Sequence, residues 1–135
     1  MPSKRKIVIA VDDEPDNLDL IVRILSRYDV RPFTDPRVAL ESAKTVKPVA
    51  IVVDYRMPGM NGLELVRRCR ESGVDSAILM VTAFPELDEL AYAAQEELLY
   101  QIIPKPYRPE RLRDWMKLAV MKTRMERRSS EETEQ

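Results

Sequence analysis

Three stretches of the chain are apolar without interruption: Ile7-Val8-Ile9-Ala10-Val11, Val49-Ala50-Ile51-Val52-Val53 and Ala77-Ile78-Leu79-Met80-Val81. Continuous runs of this length read as strands covered on both faces, because a strand with one solvated face alternates instead. Two weaker runs, Val30-Arg31-Pro32-Phe33 and Tyr100-Gln101-Ile102-Ile103, read as further strands. Pro32 has no N–H to give to a ladder, so the second strand belongs at a sheet edge. The segments between carry the helical period. Leu18, Ile21, Val22 and Leu25 form one stripe and Leu112, Trp115, Met116 and Ala119 another. Leu65, Val66 and Cys69 give a shorter version, as do Leu87, Leu90, Ala91 and Ala94. Pro15, Pro36, Pro85 and Pro109 each mark a helix start, where a missing N–H costs nothing, and an acidic residue near each suits the positive end of the helix dipole.

Strand followed by helix, five times over, predicts an α/β fold with a parallel sheet, right-handed crossovers and helices on both faces. A doubly wound (βα)5 sheet of order 2-1-3-4-5 puts the second strand at the edge, as Pro32 requires. From Met121 onward the chain reads MKTRMERRSSEETEQ, polar toward its end. Residues 1–122 are therefore expected to form the domain, and 123–135 a charged helical extension or a disordered tail.

The 135 residues suit one domain, with 44% apolar and 33% charged side chains. The 22 basic and 23 acidic residues give a net charge of −1, which argues against a nucleic-acid or membrane-surface partner. A single cysteine forms no internal disulfide. The basic start MPSKRK leads into an apolar run too short for a signal peptide, and no run approaches a membrane span. The expected setting is the cytoplasm. Histidine is absent, which excludes HExxH zinc sites and Ser-His-Asp triads. Three glycines supply neither a P-loop nor a GxGxxG turn.

Chemistry must then come from carboxylates, hydroxyls and cations at the carboxyl ends of the strands, where open α/β sheets bind ligands. Asp12-Asp13-Glu14 follow the first strand, Asp54 the third, Thr82 the fourth, and Lys105-Pro106 the fifth. Adjacent strands lie about 4.8 Å apart, so these groups converge. Three carboxylates in one place need a proton or a hard cation among them, and Mg²⁺ suits a small, open oxygen site that takes a phosphate partner. A carboxylate nucleophile, a divalent ion, a hydroxyl and a lysine make a set suited to phosphoryl transfer onto an aspartate.

With these residues in place the sequence resembles the receiver domain of bacterial two-component response regulators. The matching blocks are Val11-Asp12-Asp13-Glu14-Pro15, Asp54 through Gly62 (DYRMPGMNG), Val81-Thr82-Ala83 and Pro104-Lys105-Pro106, within residues 6 to about 122. The resemblance implies a flavodoxin-like fold and the following roles. Asp54 is the phosphoacceptor, attacking a phosphohistidine on a sensor histidine kinase or phosphotransfer protein. Asp13, Asp54 and the backbone carbonyl of Arg56 bind Mg²⁺, with Asp12 acting through water. Thr82 and the Ala83 N–H bind phosphoryl oxygens, Lys105 pairs with the phosphate, and the Lys105–Pro106 bond is cis. The domain catalyses only its own phosphorylation and dephosphorylation, and signals through the face made by the fourth helix, fifth strand and fifth helix.

Three departures alter the picture. Ile102 stands where the family commonly has Tyr or Phe, so no ring swings when Thr82 moves; Tyr100, two residues earlier, is expected on the same side of the strand. Glu96-Glu97-Leu98-Leu99 replaces a Gly-Ala turn before that strand. Arg56 and Phe84 hold the two variable positions beside the phosphoryl group, and their bulk predicts slow autodephosphorylation. An aspartate-nucleophile phosphatase is disfavoured, since Arg56 stands where those enzymes need a second Asp. The remaining alternative is a phosphorylation-independent pseudo-receiver that binds proteins or dimerises. The output is expected to be a downstream protein or a domain removed from a longer chain, and a homodimer through the fourth and fifth helices is possible.

Overall fold

A computed structural model describes residues 4–134; Met1–Ser3 of the basic start and Gln135 of the tail lie outside the described residues. Five strands alternate with five helices: β1 (Ile7–Val11), α1 (Pro15–Ile24), β2 (Asp29–Phe33), α2 (Pro36–Val46), β3 (Ala50–Asp54), α3 (Gly62–Glu71), β4 (Ala77–Thr82), α4 (Asp88–Gln95), β5 (Gln101–Pro104) and α5 (Pro109–Glu134). All pairings are parallel, in the order β2-β1-β3-β4-β5. Pro32 sits on the edge strand, opposite Ala10.

The continuous apolar runs fill two cores, one on each face of the sheet. Ile9, Ile51, Val53 and Met80 point to the face covered by α2, α3 and α4. Val8, Val52, Leu79 and Val81 point to the face covered by α1 and α5. Fully burying a side chain such as Leu79 contributes about 1.5–3 kcal/mol, so the sheet forms the stable centre on which the strand ends are held.

Two sequence expectations fail at α4. Pro85 does not start the helix: residues 85–86 form a turn, and α4 begins at Asp88 behind the extended Leu87. The buried positions are Leu90 and Ala93, whereas Ala91 and Ala94 are exposed. Leu87 lies before the helix but packs against the same core as Leu90 and Ala93, so the part of the stripe that fails is Ala91 and Ala94.

The segments after α3 and α4 close in the same way with different residues. After α3, the Val74 N–H bonds the Cys69 carbonyl and the Gly73 N–H that of Arg70, with Gly73 at φ +83°. After α4, the Leu98 N–H bonds the Ala93 carbonyl and the Glu97 N–H that of Ala94, with Glu97 at φ +61°. Both are Schellman closures, which place the residue after the C-cap in the left-handed region. The departure from a glycine turn thus keeps the turn and puts Glu97 in a conformation glycine would take more easily.

α5 runs through position 122 without a break. Thr123 is buried; its Oγ1 accepts from the Ala77 N–H at 2.8 Å and donates to the Ala119 carbonyl at 3.2 Å. One helical turn on, Arg127 grips Asp75 and donates to the Pro48 carbonyl at 2.8 Å. The buried Ser76 hydroxyl donates to that same carbonyl at 2.6 Å. These bonds tie the second half of α5 to the amino ends of β3 and β4.

Candidate functional site

Asp54 ends β3 and Thr82 ends β4, while Asp12, Asp13 and Lys105 stand just past β1 and β5. Carboxylate oxygens of Asp12, Asp13 and Asp54 all lie within 4.8 Å of one another. The Lys105 ammonium donates to Asp54 Oδ1 at 2.7 Å. Asp13, Asp54, Arg56, Thr82, Ala83, Phe84 and Lys105 line one open cleft. Asp12 lies behind it, in an adjoining hollow with Lys105, Pro106 and Tyr107. The Lys105–Pro106 bond is cis.

Backbone geometry fixes the Asp54 end of β3. The Tyr55 N–H bonds the Val81 carbonyl, and the Gly62 N–H returns to the Tyr55 carbonyl at 2.7 Å. A Cβ on Gly62 would overlap the Asp54 carbonyl, so only glycine lets α3 start this close to the acidic strand end. Gly59, at φ +82°, makes the turn between them, and Asn61 caps α3 by accepting from the Glu64 N–H at 2.9 Å.

Burial pushes the carboxyls of Asp12 and Asp54 above the ordinary carboxylate range. For Asp12 the Glu14 N–H opposes that rise, and the charge of Asp54 adds to it. For Asp54 the Lys105 ammonium opposes it, and the charge of Asp13 adds to it. Desolvation with too little compensating positive charge is the state that a bound divalent cation relieves. Three closely set carboxylates offer hard oxygen donors in an open cleft, so the residues fit Mg²⁺.

Thr82 Oγ1 accepts from the Phe84 N–H at 2.9 Å, which turns the hydroxyl toward its own loop. The Arg56 guanidinium lies over the Phe84 ring, 4.2 Å from its centroid, so these two residues form one wall of the cleft. Asn17 was not singled out by the sequence, yet it lines the cleft and donates to both Asp12 Oδ2 and Glu14 Oε2 at 3.2 Å. Its position in the first turn of α1, five residues after Asp12, is the signal that could have found it.

Ile102 and Tyr100 do not line the cleft, and they do not share a side. Ile102 packs against the α2–α4 core. Tyr100 packs against the α1–α5 core, its ring edge-on to Trp115 at 6.1 Å. The expectation of one side fails because Tyr100 precedes β5, where strand alternation does not yet hold.

Comparison with known proteins gives the family and the fold. The chain belongs to the response regulator receiver domain family, whose profile it matches over residues 8–117. It is 29% identical over 122 residues to the hydrogenase transcriptional regulatory protein HoxA of Cupriavidus necator, covering 89% of this chain and 25% of HoxA. It is 32% identical over 118 residues to the response regulator MprA of Mycolicibacterium vanbaalenii, covering 86% of this chain and 51% of MprA. The chain thus spans between a quarter and about half of these relatives. A solved structure described as adenylate cyclase from Rhodopirellula baltica superposes with a TM-score of 0.90 at 25% identity, over 97% of this chain and 98% of that one. Receiver domains are signalling switches of two-component systems. No helix among the described residues is long and apolar enough to cross a membrane.

Proposed function

We propose that this receiver domain is a phosphoacceptor switch in which Asp54 takes a phosphoryl group from a phosphohistidine on a sensor kinase or phosphotransfer protein. The observation that carries this reading is the meeting of Asp54 with Asp12, Asp13 and Lys105 at the carboxyl ends of β3, β1 and β5. An Asp54 carboxylate oxygen attacks phosphorus, the P–N bond breaks, and its electron pair returns to the imidazole of the partner. Lys105, already 2.7 Å from Asp54, shifts its ammonium to the arriving phosphoryl oxygens. The Thr82 hydroxyl leaves the Phe84 N–H and turns to the phosphoryl group, joined by the Ala83 N–H. Asp13, Asp54 and the Arg56 carbonyl would hold Mg²⁺, with Asp12 acting through water, and the bound ion would supply charge neutralisation for the transferred group.

The Arg56–Phe84 wall lines the cleft that holds Asp54, which supports slow autodephosphorylation. The signal passes to the α4–β5–α5 face and from there to a downstream protein or output domain, with a muted or altered movement because Ile102 has no ring to swing. The setting is the cytoplasm. Structures with and without a bound phosphoryl mimic check the Ile102 reading, and an ordinary large displacement of α4 overturns it.

The central test is intact-protein mass after incubation with acetyl phosphate or a phosphorylated kinase. One phosphoryl group should be gained, and that gain should be lost in Asp54→Asn and without Mg²⁺. No gain from either donor overturns the proposal in favour of a phosphorylation-independent binding module.

A further inference from the structure

The charges that balance over the whole chain are not mixed on its surface. Two adjoining hollows at the amino end of the sheet share Lys4, Lys6 and Arg124. One of them is completed by Arg27 and Lys117, the other by Lys47 and Arg128, and Glu131 is the one acid lining either. Among the described residues none of these seven cations has a carboxylate within 4.0 Å. A concentration of like charge this large raises a field that neighbouring acids do not cancel.

The same region holds the largest outward apolar side chains of α5. Leu118, Met121 and Met125 are 44%, 50% and 65% exposed, and their spacing of three and four residues puts them in one row. Met121 lines the hollow of Lys117 and Arg124. On the outward side the row is flanked by Lys117, Arg124 and Arg128 along one edge and by Lys122 along the other. Lys122 carries the nearest acid, Glu126, as its own partner.

An apolar row with a row of cations along one edge, and the Lys122–Glu126 pair along the other, narrows the choice of occupant. A second copy laid face to face would bring Lys117 and Arg124 of the two chains together. A nucleic acid backbone would answer the charge and leave Leu118, Met121 and Met125 in water. An anionic bilayer surface answers both, with lipid phosphates for the cations and the headgroup–acyl boundary for the apolar row. We infer that the outward face of α5, together with the basic amino end of the sheet, docks this protein reversibly on anionic membrane surfaces. The five-residue strands then hold Asp54 about 17 Å away at the opposite end, facing away from the lipid and open to its partner.

Sedimentation with vesicles tests this directly. The full chain should pellet with vesicles of three parts phosphatidylcholine to one part phosphatidylglycerol, and stay in solution with pure phosphatidylcholine. Lys117→Gln with Arg124→Gln should weaken partitioning by about 25-fold, since each cation near such a surface is worth about fivefold. Met121→Ser with Met125→Ser should weaken it several-fold at every salt concentration while leaving the melting temperature unchanged, because both side chains are exposed. Equal pelleting with the two lipid mixtures, or pelleting that neither pair of substitutions alters, overturns the inference. Binding to a DNA duplex that matches the anionic vesicles and ignores the methionine changes overturns it too, and makes the surface a nucleic-acid site.

Discussion

Asp12 and Asp54 set the pH behaviour of the resting protein. Their folded-state carboxyls are raised by burial, so each favours the neutral form more in the folded chain than in the unfolded one. The stability this contributes is fully present below the ordinary value of 3.8 and is lost as pH rises through the raised folded values. Metal-free protein should therefore gain from these two groups as pH falls through their raised folded values toward 3.8, seen as a higher denaturation midpoint. Asp75 works the other way. Its hydrogen bonds from Arg127 hold its carboxyl below the ordinary range, so its contribution is present above 3.8 and lost as acid carries the pH through the lowered value. Arg127→Ala should remove that acid-side loss while leaving the Asp12–Asp54 effect in place. Cys69 is 2% exposed, and burial pushes its thiol up to about 11, so it should react with a disulfide reagent only on unfolding. At the mouth of the cleft, Arg56→Ala and Phe84→Ala should each speed loss of the phosphoryl group, because each removes one half of the wall beside Asp54. Unchanged acyl phosphate lifetimes in both variants would count against their role.

Helix ends are where local residue choice and fold meet most directly. Glu97→Gly should stabilise the domain by about 0.5–1 kcal/mol, because it relieves a side chain held at positive φ in the closure after α4. Gly62→Ala should cost about 1–3 kcal/mol and displace the Asp54 strand end, which a thermal melt and the rate of phosphorylation would report together. These contrasts show what was legible beforehand. The three central strands announced themselves because both of their faces are buried, and the acids and lysine were placed by strand order alone. Pro85 and the Leu87 stripe misled because a proline just before a helix and one at its first turn look alike without the intervening backbone. Tyr100 misled because alternation was extended one residue past the strand. Asn17 stayed hidden, since a polar residue in a first helical turn has a solvated reading that only the Asp12 side chain, folded back toward it, displaces.

At the scale of the whole molecule, the net charge of −1 averages over two unlike ends of one sheet. The end bearing Asp12, Asp13 and Asp54 wants a cation, and occupying it at ten times the dissociation constant should add about 1.4 kcal/mol of stability. A Mg²⁺-dependent rise in melting temperature, absent in an Asp13→Asn variant, is the expected result. The other end is held by Thr123, whose replacement by Val would leave the buried Ala77 N–H without an acceptor and cost about 1–3 kcal/mol. That fastening has a consequence for direction as well as strength. Because Thr123 and Arg127 clamp successive turns of α5 to the central strands, the helix leaves the domain at a fixed azimuth. A protein engineered onto the end of α5 would inherit that bearing. One residue inserted at the junction would swing the passenger by about 100°, and seven would bring it nearly back into line.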